Sequence, residues 1–129
     1  METVKKYFNR ISVVDCCMLI DLIELDILPV LNQVFKRVLI PSNIWEDEID
    51  SETKATIQKY LVFDKAVIST TTGYDLYRKL GNQFKPLSDY DRTAIAIAGE
   101  ANHLCASNDG VVTKACTWFN VEILVYWEY

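Results

Sequence analysis

The stretch Ile11-Ser12-Val13-Val14-Asp15, followed by apolar residues at helical spacing over residues 17–24, decides the fold of this chain. Its β-branched residues predict a short buried strand that ends on an acid, and the spacing that follows predicts a helix. Val38-Leu39-Ile40 and Leu104-Cys105-Ala106 predict two further buried strands. Because strands and helices alternate, we expect an α/β fold, a three-layer α/β/α sandwich around a mainly parallel central sheet.

The remaining segments fill in that alternation. Ser88 is a strong candidate N-cap for a nearly all-apolar helix over Asp89–Glu100, which we expect to be central. Pro41-Ser42-Asn43 is typical of a helix entry, and Ser51 of a second one. Further helices are predicted over residues 30–36, 51–60, 74–80 and 111–117, and further strands over residues 62–63, 67–68 and 121–125.

The composition limits the class of protein. The chain has 129 residues, is 50% hydrophobic and carries a formal charge of −5, which together predict one ordered domain over residues 1–129. No apolar run is long enough to span a bilayer, and the first residues lack the features of a signal peptide. The four cysteines and the single histidine lack the spacing of a zinc site. We therefore expect a soluble cytoplasmic protein with reduced thiols.

Four carboxylates from four separate elements form the candidate site. Asp15 and Asp109 each follow a predicted strand, while Glu48 and Asp91 lie near the starts of predicted helices. In open parallel sheets, sites form beyond the carboxyl ends of the strands, so all four could face one crevice. A buried carboxylate is costly unless it is paired or binds a metal, and ligation by oxygen alone favours Mg²⁺ or Mn²⁺.

Each acid also has an ordinary explanation when it is taken alone. Asp91 favours a helix N-terminus, and Asp109 is typical of a turn or a helix cap. The charged run over residues 46–48 is typical of a solvated helix face. Asp15 is the hardest to explain in this way, because it lies within a strongly apolar stretch.

Four motifs in order make the chain resemble the PIN-domain nuclease family over about residues 11–124. They are Val13-Val14-Asp15, residues 40–49, residues 87–98 and Ser107-Asn108-Asp109. The length is similar to that of short bacterial and archaeal members, many of which are VapC-type toxins of toxin–antitoxin pairs. The resemblance implies a metal-dependent endoribonuclease that leaves a 5′-phosphate and a 3′-hydroxyl.

The resemblance also implies roles for individual residues. Asp15, Glu48, Asp91 and Asp109 match the four catalytic, metal-binding acids, which would hold one or two Mg²⁺ or Mn²⁺ ions. Glu46 and Asp47 remain alternatives for the second acid, because a shift of one or two residues would exchange them. Asn108 and Arg92 are the candidates for contact with substrate. The chain departs from the family at Cys16-Cys17, where a small hydroxyl or amide residue commonly follows the first acid.

The expected partners are an RNA substrate, a small antitoxin protein and a second copy of the chain, for which Trp127 and Tyr129 are candidate contacts. Family antitoxins place an arginine in the acidic pocket. The alternative function is a PIN-like binding or scaffold module that does not cut, which the Cys16-Cys17 departure motivates. A phospho-acceptor receiver domain is a third hypothesis, and the lack of an early acidic pair argues against it.

Overall fold

The central feature of the structure, a computed structural model that describes residues 7–125, is a parallel sheet built around the strand predicted at residue 11. The strands are β1 (Ile11–Val14), β2 (Arg37–Pro41), β3 (Asp64–Ala66), β4 (Leu104–Ala106) and β5 (Ile123–Leu124), in the order β3-β2-β1-β4-β5. All four pairings are parallel, which confirms the predicted sheet. Trp127 and Tyr129 lie outside the described residues.

Seven helical segments connect these strands within the described part of the chain. They are α1 (Cys16–Glu24), α2 (Val30–Val34), a π-helix (Ile44–Glu48), α3 (Ser51–Tyr60), α4 (Thr71–Gln83), α5 (Asp89–Glu100) and α6 (Gly110–Trp118). Because crossovers between parallel strands are right-handed as a rule, this strand order predicts the helices before β3 on one face of the sheet and those after it on the other. This arrangement is the expected three-layer α/β/α architecture. None of the helices described here has the length and apolar character needed to cross a bilayer.

The order of the strands reverses at β1, and this reversal positions the candidate site. The chain moves outward from β1 through β2 to β3, then returns to the other side of β1 to form β4 and β5. Val14 of β1 pairs in register with Ala106 of β4, so Asp15 and Ser107 leave neighbouring strands side by side. In open α/β sheets, this switch point is where the connections diverge and leave a crevice for a ligand.

Helix α5 forms much of the core, as its composition predicted. Residues 94–98 are buried, and the helix lies against β1, β2 and β4. Ser88 is its N-cap and accepts a hydrogen bond from the Asp91 N–H at 3.1 Å. This cap determines the position of Asp91 in the first turn of the helix.

Helices α4 and α5 are antiparallel, and the two ends of α5 are joined to the start and the middle of α4. At one end, the Glu100 carboxylate accepts hydrogen bonds from the backbone N–H and hydroxyl groups of Ser69 and Thr70. Gly73 makes this approach possible, since a Cβ there would lie 2.1 Å from the Glu100 Oε1 atom. At the other end, the Arg92 guanidinium lies 4.0 Å from the centroid of the Tyr77 ring and donates to the Tyr77 carbonyl.

Strand β3 and the start of α4 differ from the prediction. Helix α4 begins at Thr71, before the predicted start at residue 74. The sequence predicted strands at residues 62–63 and 67–68, whereas β3 is centred on the polar Asp64-Lys65 between them. An edge strand is paired on one side only and does not need apolar residues on both faces. The Asn32 side chain exchanges two hydrogen bonds with the Val62 backbone, which holds that residue outside the ladder.

The segment after β2 also differs, because it forms a π-helix rather than an α-helix. Ile49 donates its N–H to the Ile44 carbonyl at 3.1 Å, five residues back. Ile44 and Ile49 are both buried, which explains the wider turn, since residues five apart face the same way in a π-helix. Asp50, not the predicted Ser51, then caps α3.

Candidate active site

Asp15 is held at the switch point by two hydrogen bonds. Its backbone follows β1 and begins α1, so its Oδ1 atom accepts a hydrogen bond from the Met18 N–H at 2.9 Å. Its Oδ2 atom accepts a hydrogen bond from the Ser107 hydroxyl on the neighbouring strand end. The residue is only 2% exposed. Both carboxylate oxygens are therefore oriented by the fold.

Ser107 also links Asp15 to Asp109. Its Oγ atom accepts a hydrogen bond from the Asp109 N–H at 3.1 Å. The Asp109 Oδ1 atom accepts hydrogen bonds from the N–H groups of Val111 and Val112 in the first turn of α6, at 2.8 and 3.2 Å. Sequence reasoning gave Ser107 no role, because the register of β1 and β4 is what brings it beside Asp15. The signal in the sequence is a hydroxyl two residues before the last acid.

The candidate acids alter one another's ionisation. The pKa of Asp15 is raised from its ordinary value of 3.8 to about 6; burial is the main cause, the hydrogen bonds from Ser107 and Met18 oppose it, and the charges of Asp91 and Asp109 add to it. Burial also raises the pKa of Asp91, and the charge of Asp109 contributes in the same direction. These three carboxylates therefore share one local electrostatic environment, with Asp15 the most deeply buried.

Glu48 belongs to the same environment through Asp91. Partial burial is the main cause of the raised pKa of Glu48, and the charge of Asp91 raises the pKa in the same direction. Of the two alternatives for the second acid, Glu46 forms an ion pair with Lys65 at 3.5 Å, whereas Asp47 is an exposed residue of the π-helix, as Glu48 also is. Asn43, which precedes the π-helix, donates from its amide to the Thr93 hydroxyl of α5 at 3.0 Å. This bond ties the segment that carries Glu48 to the helix that carries Asp91.

No lysine or arginine neutralises the four candidate acids in the described part of the chain. The ion pairs found between residues 7 and 125 involve other carboxylates. Over the same residues, no three His, Cys, Asp or Glu side chains are arranged closely enough to enclose a metal ion. The donor chemistry nevertheless fits Mg²⁺ or Mn²⁺, since it consists of carboxylate oxygens with uncompensated charge.

The two residues predicted to contact substrate have protein partners. The Asn108 amide donates to the Asp21 carboxylate at 2.9 Å. The Arg92 guanidinium contacts Tyr77 of α4, as described above, and this contact favours a structural role. The structure thus gives both side chains contacts that the sequence did not predict.

Cys16 and Cys17 lie beside the acids. Burial raises the pKa of Cys16 to about 12 and that of Cys17 to about 11, and nearby carboxylates contribute, Glu48 to the first and Asp15 to the second. Both thiols therefore remain protonated at neutral pH. No side chain with a hydroxyl or amide group directly follows Asp15, and the hydroxyl that donates to Asp15 is that of Ser107.

Comparison with known proteins gives a family match and a structural match. The family model described as "DUF3368: PIN domain" matches residues 11–112. The solved structure of VapBC-1 from nontypeable Haemophilus influenzae is similar with a TM-score of 0.63 and 12% sequence identity. The alignment covers 92% of this chain and 99% of that chain, which establishes likeness of fold. A search of curated proteins finds no match.

Proposed function

This chain belongs to the PIN-domain family, and from that premise we propose that it is a metal-dependent endoribonuclease that hydrolyses RNA phosphodiester bonds. The observation that carries the proposal is the mutual influence of Asp15, Asp91 and Asp109 at the switch point of the sheet. Such concentrated negative charge without a basic partner raises the energy of the metal-free protein, and a divalent cation relieves it.

Asp15, Glu48, Asp91 and Asp109 are the residues that would hold the metal. When bound, Mg²⁺ or Mn²⁺ lowers the pKa of a coordinated water and offsets the repulsion between the acids and a phosphodiester. Asp15 contributes an oriented carboxylate, since the Met18 N–H and the Ser107 hydroxyl fix its plane. Because its pKa is about 6, this carboxylate is mostly ionised at pH 7 and above. The four acids would hold either one ion or two.

We further propose that the chain is the toxin of a toxin–antitoxin pair, with a small antitoxin as partner and a homodimer as a possible assembly. The support is the family together with the similar fold of VapBC-1. An antitoxin arginine that entered the acidic crevice would supply the positive charge that no described residue provides.

The test is cleavage of single-stranded RNA with Mg²⁺ or Mn²⁺, compared with the same reaction in EDTA. We expect metal-dependent cleavage that leaves 5′-phosphate ends, and a loss of at least about 100-fold for Asp15→Asn and Asp91→Asn. Glu46→Gln is the matched control, because it removes one acid of the same segment that pairs with Lys65. Undiminished metal-dependent cleavage by both aspartate variants would refute the proposal.

A PIN-like binding module that does not cut is the second candidate. The observation that favours it is that no three potential ligands enclose a metal among residues 7–125. Calorimetric titration with Mn²⁺ separates the two candidates. A nuclease site should give heat of binding that Asp15→Asn abolishes, whereas a degenerate site should give none with either protein.

A further inference from the structure

An open groove of about 400 Å³ lies beside α6, outside the acidic site. Its walls are formed by Phe84, Thr113, Lys114, Thr117 and Trp118. Trp118 is 65% exposed, and its ring meets that of Phe84 nearly edge-on, with 6.1 Å between the centroids. A large exposed indole that another ring supports from one side is a flat apolar surface available for stacking.

The charged residue that lines this groove is a lysine, Lys114, although the chain as a whole is acidic. Lys85 follows the lining residue Phe84 in sequence, and neither residues 84–88 nor α6 contain an Asp or Glu. Both lysines are exposed. In a chain with a formal charge of −5, this pairing of lysines with aromatic rings complements an anionic ligand that carries planar groups.

Both segments that line the groove connect along the chain to residues of the acidic site. The Thr113 hydroxyl donates to the Asp109 carbonyl at 3.0 Å, one helical turn from the start of α6. The segment after Phe84 leads to Ser88, the N-cap that positions Asp91. Trp118 lies nine residues beyond Asp109, about 14 Å along the helix axis. A polymer bound at the acids could therefore extend along α6 to the indole.

We propose that this groove is a subsite for single-stranded RNA, in which a base stacks on Trp118 and the flanking lysines contact phosphates. The proposal rests on the proposed function, and it adds a binding surface that the four acids do not provide. Stacking on an aromatic ring tolerates any base, so the groove would add affinity without selecting a sequence. The positive charge favours RNA over a protein partner. Binding of a protein at the groove is one of the outcomes that the test distinguishes.

The experiment measures the anisotropy of a labelled, unstructured single-stranded RNA in the Asp91→Asn background, so that the RNA is not consumed. Trp118→Ala should weaken binding on the order of 5- to 150-fold, and Trp118→Phe should retain most of the affinity. The logarithm of the affinity falls as the logarithm of the salt concentration rises. Lys114→Gln should make this slope less steep by about 0.7, the value for one phosphate contact to a single strand. Tyr74→Ala and Lys36→Gln, which alter an exposed aromatic and an exposed lysine elsewhere, are the matched controls.

The outcomes separate this proposal from the proposed function. Equal RNA affinity for Trp118→Ala and Tyr74→Ala would overturn the subsite even if the wild-type protein cuts RNA. Weakened binding by the groove variants would support the subsite even if the wild-type protein proves unable to cut. If Trp118→Ala instead converts a dimer to a monomer in sedimentation and leaves RNA affinity unchanged, the groove is a protein interface and the proposal is wrong.

Discussion

Replacing Asp15 with asparagine should stabilise the metal-free protein, although it removes the central acid of the candidate site. Asparagine has nearly the same shape, so its Oδ1 atom can still accept the Met18 N–H. Its amide can donate to the Ser107 oxygen, which has a second lone pair beside the one that accepts the Asp109 N–H. The substitution therefore removes a buried negative charge and keeps two hydrogen bonds to the side chain, while the Ser107 hydroxyl proton loses the carboxylate oxygen that accepted it.

The expected gain follows from the pKa of Asp15. A tenfold change in proton affinity corresponds to about 1.4 kcal/mol, so raising the pKa from 3.8 to about 6 destabilises the ionised native state by about 3 kcal/mol. The native state binds more protons than the unfolded state between these two pH values, so wild-type stability falls as the pH rises through that window. The advantage of the variant should be about 1.5 kcal/mol at pH 5 and about 3 kcal/mol at pH 7.

Urea unfolding in EDTA at a series of pH values between 5 and 8 measures this difference directly. At pH 7 the gain should also raise the Tm on the order of 10 °C. Glu24→Gln is the control, because it makes the same change of charge on the exposed surface of α1. The reasoning is refuted if Asp15→Asn destabilises the protein at pH 7, or if its effect is the same at pH 5 and pH 8.

Three further predictions concern Ser107, Cys17 and Asn43, which lie on segments of the candidate site. Ser107→Ala should destabilise the protein by about 1–3 kcal/mol in urea unfolding, since it leaves buried polar groups unpaired. It should also shift the acidic limb of the pH–rate profile to higher pH, because the Ser107 hydrogen bond lowers the pKa of Asp15. An acidic limb at the same pH in the variant would argue against this coupling. Because the pKa of Cys17 is about 11, this thiol should react with iodoacetamide at pH 8 on the order of 100-fold more slowly than an unperturbed cysteine. Mass spectrometry of the peptide that contains Cys17 would measure the rate. Asn43→Ala should cost about 1 kcal/mol in thermal unfolding, and its effect should be less than additive with Thr93→Ala if their hydrogen bond is the cause.

The parts of the fold that the sequence predicted are those in which local pattern and burial agree. Strand β1 is a largely β-branched run at the centre of the sheet, and α5 is a capped helix whose residues 94–98 are all apolar and buried. In both, the local preference and the tertiary environment favour the same structure. The parallel sheet then follows from the alternation of strands and helices.

The parts that the sequence did not predict depend on contacts between distant residues. Ser107 reaches Asp15 only because Val14 and Ala106 are paired in register, and no local pattern encodes that pairing. The π-helix arises because buried Ile44 and Ile49 lie five residues apart, a spacing that the usual helical template does not consider. Strand β3 forms on polar residues because it needs only one neighbour.

The double attachment of α4 to α5 has a consequence for motion. Glu100 joins the end of α5 to the start of α4, and Arg92 joins the first turn of α5 to Tyr77 at the middle of α4, so we expect the two helices to open together. Local unfolding therefore involves the pair as a single cooperative unit, whose opening free energy should be common to the amides of both helices in hydrogen exchange. The opening free energy of this unit therefore also governs the segment that carries Asp91, since Asp91 lies in α5.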